Sequence, residues 1–372
     1  MLRNGIFYVG IGIFAAACMQ PAAKAQTYSK TETIEYYDDT TDWVMGQVRR
    51  TTTDGLETSR TVYGWKALPA QIFSFGRLQQ TLAYDSTAAS STGQLGTLRT
   101  VSDGNNNVTT YGNWKRGIPQ SIQYANGTLQ SASVNDNGWI EWVQNEVNAR
   151  TCYGYDAMGR LTQTTYPSET APGVCDESKW AATRQTFAPS TEPIAGLPAG
   201  HWRQTIWTGN ARSVTYFDGL WRPVIKDTYD TTDIAGTLSQ VVTRYDSEGR
   251  PTFVSYPQRT MDPVVHATWG NPTVPLHAST LGVYTEYDAL GRVTAVAQDS
   301  EFAAPNNLLI TLTQYLPGFK TKVINPRGQQ TITSYQVYDV PTYNFPVRIE
   351  QPEGVTTVII RDVFGKPTQI GR

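Results

Sequence analysis

Three histidines in 372 residues are too few to suggest a metal centre, and His201, His266 and His277 fall in no ligand spacing. The sequence contains no His-Glu-x-x-His, paired Cys-x-x-Cys, Walker loop, Gly-x-Ser-x-Gly or Gly-x-Gly-x-x-Gly. Zinc-hydrolase, nucleotide-binding and serine-hydrolase chemistries therefore have no starting point. Basic residues do not gather into a stripe and the formal net charge is −2, which argues against a nucleic-acid partner. No long apolar pattern of period 3.6 follows the N-terminus, so helices are not expected. Carboxylates are plentiful, with 32 Asp and Glu, but most of the aspartates stand where turns need them. The expectation is a non-catalytic protein without a cofactor.

Present in quantity are residues that favour strands and turns: 21 tyrosines, 31 glycines and 10 tryptophans, with threonine throughout. At 39% hydrophobic and 17% charged, the chain is too apolar for a disordered polymer. Residues 1–25 read as an export signal. Arg3 precedes the apolar stretch Gly5–Cys18, and Ala23-Lys24-Ala25 offers a cleavage site before Gln26. The stretch is shorter than the roughly 20 residues a membrane span needs. Lipidation at Cys18, after Ala15-Ala16-Ala17, is the rival reading. Both readings place the mature protein outside the cytoplasm, in the periplasm, on the cell surface or secreted. Cys152 and Cys175 remain; in an oxidising compartment they form one disulfide, and two free thiols are the alternative.

One pattern recurs along the chain. It reads Tyr155-Asp156-Ala157-Met158-Gly159-Arg160, Tyr245-Asp246-Ser247-Glu248-Gly249-Arg250 and Tyr287-Asp288-Ala289-Leu290-Gly291-Arg292. Asp-x-x-Gly specifies a type I turn in which Asp accepts backbone hydrogen bonds and Gly adopts positive φ. The flanking Tyr and Arg are expected to meet across their own strand pair in a cation–π contact. These twelve-odd residues read as structural, with the glycines the most sensitive. Degenerate copies follow. Arg361-Asp362-Val363-Phe364-Gly365-Lys366 lacks the tyrosine, and Phe217-Asp218-Gly219-Leu220-Trp221-Arg222 puts tryptophan in the glycine place. In the second of these the turn is expected to shift onto Asp218-Gly219. Thr53-Asp54-Gly55, Ser102-Asp103-Gly104 and Asn126-Gly127 mark further hairpins.

The motif resembles the YD repeat of Rhs (rearrangement hotspot) proteins, whose consensus is roughly Tyr-Asp-x-x-Gly-Arg-Leu. That resemblance implies tandem β-hairpins pairing edge to edge into a long spiralling sheet, which larger members close into a shell around a toxic C-terminal segment. It predicts an all-β fold: degenerate hairpins over 26–149, and a YD-repeat region over 150–372 interrupted by an inserted loop around 168–200. Arg372 follows the last degenerate turn closely, so the chain is expected to be a stretch of shell wall without a toxin. Three functions follow. The favoured one is an exported scaffold or encapsulating protein acting on another polypeptide. A second is carbohydrate binding through tryptophans such as Trp65, Trp114, Trp202 and Trp221. A secreted hydrolase is the third.

Overall fold

The computed structural model describes residues 28–86, 95–193, 197–259, 281–300, 308–338 and 340–372. The proposed signal segment and Trp269, His266 and His277 lie outside the described residues. The fold is all-β, a single antiparallel sheet of 26 strands. Its first part comprises β1 (Glu32–Asp39), β2 (Val44–Thr53), β3 (Leu56–Tyr63), β4 (Pro69–Ser74), β5 (Arg77–Tyr84), β6 (Leu98–Asp103), β7 (Val108–Gly112), β8 (Ser121–Gln123) and β9 (Leu129–Val134). The middle comprises β10 (Ile140–Gln144), β11 (Arg150–Tyr155), β12 (Leu161–Thr165), β13 (Thr183–Pro189), β14 (Trp202–Thr208), β15 (Ala211–Phe217), β16 (Pro223–Asp230), β17 (Ser239–Tyr245) and β18 (Pro251–Ser255). The last part comprises β19 (Gly282–Tyr287), β20 (Val293–Asp299), β21 (Leu308–Leu316), β22 (Lys320–Ile324), β23 (Gln330–Tyr335), β24 (Pro346–Glu350), β25 (Thr356–Arg361) and β26 (Pro367–Gly371). Among the described residues, helix is confined to a four-residue turn, Ile234–Thr237, and a three-residue 3₁₀ turn, Trp65–Ala67.

Every strand pairs with its immediate neighbours in sequence, from β1–β2 to β25–β26. The sheet is therefore one uninterrupted meander in which β1 and β26 each pair on one side among the described residues. Turns after odd-numbered strands lie along one long rim of this strip, and turns after even-numbered strands along the other. Phe75, in the β4–β5 turn, packs edge-to-face on Phe364, in the β25–β26 turn, with centroids 5.5 Å apart. Tyr28, just before β1, likewise meets Tyr338 in the β23–β24 connection at 6.2 Å. Both contacts join the even rim of the start to the odd rim of the end. A barrel would instead pair β1 with β26. Contact between opposite rims is what a coiled ramp produces, so the twisted strip winds back over itself after the 21 strands from β5 to β25.

Among the described residues no second layer buries the faces of the strip, and most strand residues are half-buried. A compact apolar cluster forms where Tyr216, Ile225 and Val242 stand beside one another in the register of β15, β16 and β17. Leu197, from the β13–β14 connection, closes over that face with Val214. The next row holds the buried pair Asp227 and Gln240, joined by Gln240 Nε2 donating to Asp227 Oδ1 at 2.6 Å. The expected insertion over 168–200 is crossed by β13, which splits it into two connections. Thr183, Gln185 and Phe187 alternate in a way that extends the sheet, and compositional bias on either side concealed this strand. Cys152 on β11 is bonded to Cys175 in the first of these connections, with Cα atoms 6.1 Å apart.

Candidate functional site: a ladder of turns along the odd rim

The three full motifs adopt the same cage. At Asp246, Oδ1 accepts the backbone N–H groups of Glu248 (3.0 Å) and Arg250 (2.9 Å), and Oδ2 accepts Arg250 Nε (2.7 Å). Asp156 holds Met158, Arg160 and Arg160 Nε at 2.9, 2.9 and 2.6 Å. Asp288 holds Leu290, Arg292 and Arg292 Nε at 2.9, 2.9 and 2.7 Å. Gly159, Gly249 and Gly291 take φ of 81°, 81° and 78°, a conformation that costs a residue with a Cβ about 1–2 kcal/mol. These carboxylates act as acceptors of fixed protons. The Arg292 guanidinium, then its backbone N–H, hold the Asp288 carboxyl below the usual aspartate range. At Asp156 the Arg160 backbone N–H leads and its guanidinium follows.

Tyr and Arg of one motif do not stack on each other, contrary to the expectation above. The aspartate captures Arg Nε, which aims the rest of the guanidinium at the following hairpin. Arg222 lies 4.9 Å from the ring centroid of Tyr245, Arg250 4.9 Å from Tyr287 and Arg292 4.0 Å from Tyr315. Arg222 Nη1 also donates to Asp246 O (3.1 Å), and Arg250 Nη1 to Asp288 O (3.3 Å). In return the Tyr245 hydroxyl donates to Pro223 O and that of Tyr287 to Pro251 O, each at 2.8 Å. From Asp218 to Asp288, each motif therefore clamps the next one. Arg and Tyr act between hairpins rather than within one.

The Phe217–Arg222 copy also departs from expectation, because its turn does not shift. Asp218 builds the same cage, accepting from Leu220 N (2.9 Å), Arg222 N (3.0 Å) and Arg222 Nε (2.7 Å). Trp221 takes the glycine position itself, with φ of 63°. Its ring stacks near Phe187 (5.5 Å) and Trp202 (5.2 Å). Two aromatic pairs at about 0.5–1.5 kcal/mol each can offset the left-handed backbone.

Further copies carry asparagine in place of the aspartate. Asn135 Oδ1 accepts from Asn137 N and Trp139 N, both at 3.0 Å, and Asn325 Oδ1 accepts from Arg327 N and Gln329 N, both at 3.0 Å. In the first of these Trp139 replaces arginine and packs 5.4 Å from Tyr155, whose hydroxyl donates to Ile140 O at 2.9 Å. Asn offers the same acceptor as Asp, so Asn-x-x-Gly was the missing signal. Conversely, Asp54 and Gly55 form a two-residue hairpin with φ of 49° and 80°, whereas at Asp103 the turn runs on to Asn106, with φ of 66°.

His201 is buried, its Nδ1 2.9 Å from Pro198 O and its ring against Tyr216. Among the described residues no three His, Cys, Asp or Glu side chains gather into a metal-sized group. No helix among them is long and apolar enough to cross a membrane.

No family model matches the chain, and no curated protein matches it. Solved structures do. A crystal structure of TcdB2-TccC3-Cdc42 covers 94% of this chain at 13% identity and a TM-score of 0.30. A structure of the Photorhabdus luminescens Tc holotoxin pore with a mutant TccC3 covers 90% at 10% identity and a TM-score of 0.34. The crystal structure of TcdB2-TccC3 without its hypervariable C-terminal region covers 92% at 10% identity and a TM-score of 0.23. This chain spans about a fifth of each of those chains, at 19%, 20% and 23%.

Proposed function

We propose that this protein is an exported, non-catalytic wall element that works by contact with another polypeptide. The observation that carries the reading is the coiled, single-layer strip itself. It winds back over itself and leaves the backbone of β1 and β26 unpaired on one side among the described residues. Unpaired strand edges are templates for further pairing. Exposed apolar side chains line both ends, including Ile34 and Tyr36 on β1, Ile360 on β25 and Ile370 on β26. The resemblance of the clamped turns to YD repeats points the same way, as does the apolar leader for export. The test is light scattering on protein exported and purified from its native host, with mass spectrometry of whatever co-elutes. A stoichiometric second polypeptide is expected. A clean monomer with no companion, together with saturable binding to glycans, would overturn the reading in favour of a carbohydrate-binding protein.

A further inference from the structure

The carbonyl tie that joins the Asp218, Asp246 and Asp288 turns is not made by Arg160 among the described residues. Arg160 follows the pattern as far as its own turn, where Nε binds Asp156 at 2.6 Å. Phe187 on β13 takes the position of the next motif's tyrosine, 5.8 Å beneath the guanidinium. After β13, however, the chain makes no Asp-x-x-Gly turn. It enters the 190–201 connection, where Ser190 N donates to His201 O and Leu197 packs against Val214 and Tyr216 on β15. Among the described residues, the carbonyl that Arg222 finds at Asp246, and Arg250 at Asp288, has no counterpart here, and the Arg160 Nη atoms donate to no neighbouring turn. Arg160 is correspondingly the most exposed of the series, its side chain 42% accessible against 26%, 30% and 34% for Arg222, Arg250 and Arg292.

The missing turn leaves a cleft of about 540 Å³ lined by Arg160, Phe187, Gln204 and Phe217. Trp202 and Trp221 pack on Phe187, with ring centroids 4.9 and 5.5 Å away, so both report on that wall of the cleft. Gln204 is half-buried, and its amide makes no hydrogen bond within the described residues. Arg160 and Gln204 therefore present unspent hydrogen-bonding groups around an aromatic floor.

We propose that this cleft receives a turn from the partner polypeptide, with an aromatic side chain against Phe187 and Phe217 and a backbone carbonyl on the Arg160 Nη atoms. The occupant is argued from the chain's own repeats, since Arg222 and Arg250 each hold such a ring and carbonyl from the following hairpin. The inference rests on the proposed polypeptide contact and gives it a location.

The probe is an acetylated, amidated peptide copying residues 287–292, titrated into the full exported chain labelled with 5-fluorotryptophan. Trp202→Phe and Trp221→Phe identify the two resonances. Saturable shifts of both are expected. They should weaken at least tenfold in Gln204→Ala, which leaves every turn cage intact, and in Arg160→Lys, which keeps the charge but loses the fork. They should also weaken with a peptide carrying Ala in place of Tyr. No shift, or shifts that both variants leave unchanged, overturns the proposal. So does a response to an N-acetylglucosamine trimer without one to the peptide, which would make the cleft a sugar site. A companion polypeptide that still co-elutes with both variants overturns the location while the scaffold reading stands.

Discussion

Gly159 and Gly249 occupy the same turn position with the same φ of 81°, yet an alanine meets different surroundings at each. At Gly249 a Cβ would find nothing within 4 Å, so Gly249→Ala carries the backbone cost alone, about 1–2 kcal/mol. At Gly159 the Cβ would lie 2.8, 2.9 and 3.0 Å from Cζ2, Cε2 and Nε1 of Trp139. An indole ring has no flexible end to bend away. It must move as a plate, which breaks its packing on Tyr155, worth about 0.5–1.5 kcal/mol. Gly159→Ala should therefore cost about 2–3 kcal/mol, roughly 1 kcal/mol more than its counterpart. Because repeats unfold semi-independently, the assay is native-state hydrogen exchange, comparing β11 and β12 in one variant with β17 and β18 in the other. The excess should vanish in a Trp139→Leu background, as a double-mutant cycle would report. Equal losses for the two glycine variants, or an excess that survives the removal of Trp139, would refute the account of the inter-turn clamp.

Two further predictions concern the interior and the disulfide. Asp227 is buried beside Gln240, and burial pushes its pKa from the ordinary 3.8 to about 6. Because the folded state holds the proton more tightly, stability is full below pH 4, falls as pH rises to about 6 and is flat above. Asp227→Asn should remove that slope and stabilise β15–β17 at pH 7 by up to about 2–3 kcal/mol; equal stabilities of the parent protein by urea unfolding at pH 4 and pH 7 would count against the burial. The Cys152–Cys175 bond closes a loop of sequence separation 23 and should contribute about 3 kcal/mol locally. Reduction should raise exchange in the 166–182 connection while leaving β19–β26 protected, and unchanged protection near Cys175 would remove the disulfide from the stability account.

The class of fold was legible because the turn chemistry repeats. Asp accepts from two backbone N–H groups, glycine supplies positive φ, and alternating segments follow, so Asp156, Asp246 and Asp288 could each be placed at a hairpin. What the motif does between hairpins was not legible. Sequence spacing brings Tyr245 nearest to Arg250, whereas the partner of Tyr245 is Arg222, one hairpin earlier, and only the shape of the Asp cage decides which way a guanidinium points. Trp221 was misjudged for a related reason. Intrinsic preference disfavours a left-handed tryptophan, but the Asp218 cage fixes the turn register and the Phe187–Trp202 stack compensates. The coiling could not be read at all, since Phe75 and Phe364 are 289 positions apart in the chain and belong to no pattern.

These observations together explain how a sheet without an opposing layer can hold a shape. Backbone ladders fix neighbouring strands side by side but leave the angle between successive hairpins soft. The clamps act on that angle. Arg from one turn grips the ring and carbonyl of the next, and the returning tyrosine hydroxyl ties the carbonyl just beyond the first arginine, so each joint is held at two points. From Asp218 through Asp246 to Asp288 the clamps run unbroken, and each joint there carries both ties. The joint after Arg160 is held by the guanidinium–Phe187 contact and the aromatic stack instead, and among the described residues it lacks the carbonyl tie. Filling that gap with a partner's turn would complete the ladder, so a ligand there would also stiffen the wall, and binding would be coupled to the curvature of the strip.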